Sequence, residues 1–135
     1  MRLRDAFFTA RNRDAFTRAR VDLGAFLEAS LAMVNEAQLR GPSARTGLCL
    51  YAWGAARALA RHHRLTREQR RQLVRHAVHG IARNYPVDCI PACGGPARRA
   101  AMAEGADVVD NWMMGENDAP LRCAQLLADW RAGRE

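Results

Sequence analysis

Between Ser43 and His62 the chain carries Leu48, Leu50, Tyr51, Trp53 and Leu59 at positions that point to several sides of a helix. Gly54, Ala55, Ala56, Ala58 and Ala60 fill the space between them. A helix that is apolar nearly all round is stable only when neighbours cover it on several sides, and glycine and alanine let those neighbours come close. This segment constrains the fold most: it predicts a central second helix, capped by Ser43 and running to about His62, with the rest of the chain packed round it.

The flanking segments have the periodicity to do so. Phe16, Leu23, Phe26, Leu27, Leu31, Val34 and Ala37 fall at helical spacing ahead of Gly41-Pro42, which predicts a long first helix ending near Arg40; Met1 to Ala10 either continue it or form a separate short helix, with Asn12 as a cap. Thr66-Arg67-Glu68-Gln69 has the capping-box pattern, so a third helix starts there, buries Leu73, Val74, Ala77, Val78 and Ile81, and stops at Tyr85-Pro86. Residues 86–96 hold three prolines and two glycines and read as an irregular loop. A fourth helix is expected over Ala97 to Met114, weakened at Gly105, then a turn at Gly115 to Pro120 and a last helix over Leu121 to Arg131. No segment alternates with the period of a strand. A chain of 135 residues buries roughly two-thirds of its unfolded surface and needs no staples. The expectation is an all-α, single-domain bundle of about five helices over residues 1–135, with mostly antiparallel neighbours.

Charge is the second informative feature. All 21 basic residues are arginine, which together with the abundant alanine points to a GC-rich bacterial genome and discounts the count, though not its clustering. Residues 61–83 hold Arg61, Arg64, Arg67, Arg70, Arg71, Arg75 and Arg83 against Glu68 alone, and most of the net charge of +7 resides there. On the third helix Arg67, Arg70, Arg71 and Arg75 share the face opposite Leu73, Ala77 and Ile81, a candidate anion or partner surface. Such a stripe serves phosphate contact, as in the second helix of a helix-turn-helix, or pairs with acids such as Glu104, Asp107 and Asp110 on the fourth helix. Arg98 and Arg99 extend the anion-site candidates: they follow Gly94-Gly95-Pro96, where a glycine-rich approach to a helix exposes backbone donors.

Two further constellations carry weaker signals. His76 and His79 lie one turn apart, with Cys89 and Cys93 in the loop that follows, and the four are metal-ligand candidates only in a folded-back arrangement, since a Cys-x3-Cys spacing with an intervening proline is not that of a zinc knuckle. The expectation is that no metal is held, and no cofactor motif is present. Trp112, Met113 and Met114 place three large adaptable side chains at a helix end, a candidate hydrophobic partner surface.

No nucleophile with a base beside it, no Gly-x-Ser-x-Gly and no phosphate-binding loop is present, so catalysis is not expected. No run of apolar residues approaches the roughly 20 that cross a bilayer. Asp5, Asp14 and Asp22 interrupt the Arg/Phe-rich start that would otherwise suit a membrane surface. With no apolar leader after Met1, a reducing bacterial cytoplasm is expected, and the four cysteines read as thiols. The expected function is therefore non-catalytic: an adaptor or regulator working by protein–protein interaction. A homodimer is expected because one bundle has difficulty hiding Phe7, Phe8, Phe16, Phe26, Trp112, Met113, Met114 and Trp130 together. Nucleic-acid binding through the third helix is the alternative, and a metal or thiol site at residues 76–93 a further one.

Overall fold

A computed structural model describes residues 3–40, 42–84 and 96–131, and all the regular elements among them are helical. They are α1 (Leu3–Leu31), α2 (Pro42–His62), α3 (Arg67–Asn84), α4 (Pro96–Met113) and α5 (Arg122–Arg131), with 3-10 turns at Glu36–Leu39 and Ala119–Leu121. The all-α expectation holds, and α2 is the central element, touched by all four other helices.

The helix limits follow from local chemistry. α1 runs without a break through Asn12 and stops at Leu31, a full turn and more before the expected Arg40. The reason is a second capping box. The Asn35 side chain accepts from the Gln38 amide at 3.0 Å and the Gln38 side chain accepts from the Asn35 amide at 2.9 Å, which starts the 3-10 turn afresh. Leu39 is still buried, so the apolar pattern outlasts the helix. Arg45 Nε donates to the Leu39 carbonyl at 2.8 Å and holds the turn against α2. At the start of α2, Pro42 occupies the first helical position, where its missing N–H costs nothing, so Ser43 lies inside the helix rather than capping it. Thr66 and Gln69 form the expected capping box, the Gln69 amide donating to Thr66 Oγ1 at 3.2 Å and the Thr66 amide to Gln69 Oε1 at 3.1 Å.

α2 and α4 end alike. The Leu65 amide bonds the Ala60 carbonyl and the Arg64 amide the Arg61 carbonyl, while Glu116 bonds Asn111 and Gly115 bonds Trp112. Both are Schellman closures, which need a left-handed residue. In the second it is Gly115, at φ 105°, and in the first it is Arg64, at φ 53°.

Among the described residues, α2 and α4 come together at backbone distance. A Cβ on Gly54 would overlap the Met102 carbonyl oxygen, and a Cβ on Gly105 would overlap the Tyr51 carbonyl oxygen, so each helix presents its glycine to the other's backbone. Gly105, expected to weaken α4, instead permits this approach. His62, at the end of α2, bonds Asp110, near the end of α4, at 2.9 Å, so these two helices run in the same direction, whereas α3, returning beside α2 after a short turn, and α1, which meets α2 at Ser30–Tyr51 and Asp22–His63, are antiparallel to it. Beneath the seam Phe26 stacks on Tyr51 at 5.7 Å between ring centroids and meets Trp112 at 5.4 Å. Tyr51 shares a 2.8 Å hydrogen bond with Ser30 and another with Cys123. Burial pushes the Tyr51 phenol above its usual range and the Cys123 thiol up to about 12. Phe26 is fully buried and Phe16 and Trp112 pack against the core, so these three are covered within one chain. The side chains of Phe7, Phe8 and Trp130 lie outside those described.

Candidate interaction surface

Arg67, Arg70, Arg71 and Arg75 all project into solvent from α3, because Leu73, Ala77, Val78 and Ile81 claim the opposite face for the core. Among the described residues only Arg71 of the four has an acidic partner, Glu68 at 4.0 Å, and both side chains are largely exposed, so the pair contributes little. The acids of α4 do not reach the stripe, since α2 lies between α3 and α4. Asp110 is taken by the end of α2 instead, 2.9 Å from His62 and 3.8 Å from Arg61. Among the described residues, the stripe is therefore left with most of its positive charge uncompensated.

The arginines do not stand on a plain surface. Between α2 and α3 runs an open groove of about 420 Å³, with Trp53, Val74 and Val78 as apolar lining and Arg57, Arg70, Arg71, Arg75 and His79 around them. A second groove of about 270 Å³ lies on the other side of α2, lined by Arg57, Arg61 and Arg99 with Gly54, Met102, Ala103 and Ala106. Arg57 belongs to both. The exposed edge of α2 therefore carries Trp53, Arg57 and Arg61, one turn apart, between a wall of α3 arginines and Arg99 of α4. Six guanidinium groups converge on one side of the molecule. Successive turns of α2 and α3 line the first groove together, as antiparallel neighbours joined by a short turn.

Reasoning from sequence identified the α3 half of this surface and missed the α2 half. Trp53 reads as one of the apolar residues of a helix that is apolar nearly all round, and the basic window of residues 61–83 begins at Arg61 and so leaves out Arg57. The usable signal was their spacing: an aromatic and two arginines at i, i+4 and i+8 mark one exposed strip. Of the anion candidates at the start of α4, Arg99 joins the second groove, whereas the Arg98 side chain and Gly94-Gly95 lie outside what is described.

The histidines separate. His79 lines the first groove, while His76 sits beside Arg20 of α1 and Arg83. Partial burial, and then the positive charge of Arg20, Arg83 and His79, hold the His76 imidazole below its ordinary pKa. No cluster of three or more His, Cys, Asp or Glu side chains occurs among the described residues, and Cys89 and Cys93 lie outside them. His63 is structural: its Nε2 lies 2.7 Å from Asp22 Oδ2 and ties the α2–α3 turn to α1.

At the far end of α4, Trp112 turns inward to Phe26, whereas Met113 is 38% and Met114 84% exposed. Glu116, Asn117 and Asp118 follow in the exposed turn, so the projecting thioethers stand beside two carboxylates. No described helix is long and apolar enough to cross a membrane. No protein-family model, no curated protein and no solved structure matches this chain.

Proposed function

We propose that this chain is a non-catalytic binding protein that works by protein–protein interaction, and that its arginine-lined face receives an acidic segment of a partner anchored by an apolar side chain. The observation that supports this reading is the makeup of the α2–α3 groove: a partly buried Trp53 with Val74 and Val78 at the centre, and guanidinium groups round them. Apolar centre, charged rim, and tryptophan with arginine as the residues that contribute most describe the anatomy of a protein interface. Contact with a phosphate backbone uses the rim and leaves the apolar centre idle. A second reading rests on Trp53 alone: a ring among guanidiniums can also stack a nucleobase, as in single-strand binders.

Fluorescence anisotropy separates the two. The probes are an acidic peptide with one leucine or methionine, the same peptide with that residue replaced by serine, and a single-stranded oligonucleotide of equal charge. The expected result is that the anchored peptide binds at least about tenfold more tightly than the serine version, and that Trp53→Ala removes the difference. If the oligonucleotide binds most tightly, with a steep dependence on salt, and the anchor has no effect, the protein-partner reading is wrong.

A further inference from the structure

We infer that the groove of one copy receives the α4–α5 turn of a second copy, Met114 entering over Trp53 and the carboxylates of Glu116 and Asp118 meeting Arg70, Arg71 and Arg75. This inference rests on the reading of the groove as a site for an acidic, apolar-anchored segment, and it names that segment within the chain itself. The groove offers an apolar centre and a cluster of positive charge that the acids among the described residues leave mostly uncompensated, Glu68 beside Arg71 apart. The turn offers the complement. Met114 is the most exposed large apolar side chain among the described residues, and Met113 and Leu121 are exposed beside it. Methionine is unbranched and soft, which suits it to an open, irregular groove.

The turn is also built to hold this shape. Its Schellman closure, with Gly115 left-handed, fixes Met114 and Glu116 on either side of a sharp corner, and the buried Ala119 and Pro120 anchor the far side. An ordered knuckle loses little freedom on docking. It cannot fill its own groove, because α2 stands between α4 and the α3 wall. The two surfaces are different patches of one chain, so a two-fold pair satisfies both at once, each copy giving its turn and receiving its partner's. The site is then completed by residues of the second copy.

Charge exchange tests this directly by sedimentation equilibrium, with circular dichroism showing that each variant is folded. Wild-type protein at about 50 μM should have the mass of two chains at low salt and shift toward one chain as salt rises from about 0.05 to about 0.5 M. The groove variant Arg71→Glu/Arg75→Glu and the turn variant Glu116→Arg/Asp118→Arg should each weaken association at least about tenfold, since like charges then face each other. Mixed in equal amounts, they should recover a two-chain mass, because both contacts of the mixed pair are again complementary. Met114→Ser should weaken association without changing the fold. A wild-type mass of one chain throughout, charge variants that keep the two-chain mass, or no rescue when the two weakened variants are mixed, overturns the inference. If the anchored acidic peptide still binds the groove in that event, the docking of a second copy falls while the reading of the groove stands. If the peptide also fails to bind, both fall.

Discussion

Substituting alanine at the glycines gives the sharpest test of the fold, because the same chemical change should have opposite signs at different positions. At Gly54 the added Cβ meets the Met102 carbonyl, and at Gly105 it meets the Tyr51 carbonyl. Both obstacles are backbone, so no rotamer change relieves them and the helices must move apart. Alanine is the better helix former by about 1 kcal/mol, which sets the favourable side. Overpacking in a core costs about 1–3 kcal/mol when side chains can shift. Here a whole seam separates, and each pair of atoms drawn apart gives up about 0.1–0.2 kcal/mol. A few tens of such pairs leave a net loss of about 3–4 kcal/mol for Gly54→Ala or Gly105→Ala, roughly a 10 °C fall in Tm for a domain of this size. At Gly24 and Gly80, by contrast, nothing lies within 4 Å of the added atom, and both are exposed within helices. Alanine there should stabilise by about 0.5–1 kcal/mol through propensity and a less disordered unfolded chain. Urea titration followed by helical ellipticity, read as ΔG at constant m, measures all four. A Gly54→Ala protein as stable as Gly80→Ala would refute the backbone-to-backbone seam.

Three further outcomes follow from single sites. Arg64→Gly should raise stability by about 1 kcal/mol, since a non-glycine residue in the left-handed well costs about 1–2 kcal/mol and part of that returns as unfolded-state entropy; a destabilised variant would mean that the Arg64 side chain matters more than its backbone. Tyr51→Phe should cost about 1–3 kcal/mol in chemical denaturation by removing the hydroxyl that pairs with buried Ser30, and a second change, Ser30→Ala, should add little to that loss. Cys123 sits near 12 when folded, against an ordinary thiol near 9, so the unfolded state loses its proton first. Stability should therefore be full below pH about 8.5 and fall by up to about 1.4 kcal/mol per pH unit above it, a slope that Cys123→Ala should reduce; identical slopes in the two proteins would contradict the burial of this thiol.

What the sequence disclosed depended on how local each cause was. The capping box at Thr66 is contained in four residues, and α3 begins where it says. The central place of α2 follows from its own composition, whatever surrounds it. The early end of α1 was concealed because Leu39 is buried and continues the apolar spacing, although the Asn35–Gln38 capping box was there to be read. Gly105 shows the opposite case, since its local effect, a weaker helix, is overruled by what faces it on α2. Trp53 is of the same kind. The spacing of Trp53, Arg57 and Arg61 marks a strip of α2, but only the positions of α3 and α4 decide that this side stays partly open.

The fold and the candidate surface are joined at a single place on α2. Gly54 lies against α4 at backbone distance while the adjoining Trp53 faces the α3 groove, so the seam that fixes α2 also fixes the ring at the groove's centre. Arg57, one turn on, borders both grooves and cannot leave one without altering the other. The packed helices hold the backbone beneath the arginines, so binding there loses less backbone freedom than it would on a loop, although each long side chain still gives up rotamer freedom. The same rigidity keeps like charges close. Arg57, Arg61, Arg70, Arg71, Arg75 and Arg99 are held on one side with Glu68 and Asp110 as the acids paired among them. Ions in solution screen that repulsion in the free protein, and the proposed acidic partner would replace the ions with fixed charges at short range. Added salt should then stabilise the free protein while weakening the proposed complex, whereas a surface whose charge serves only the fold gives no such opposition.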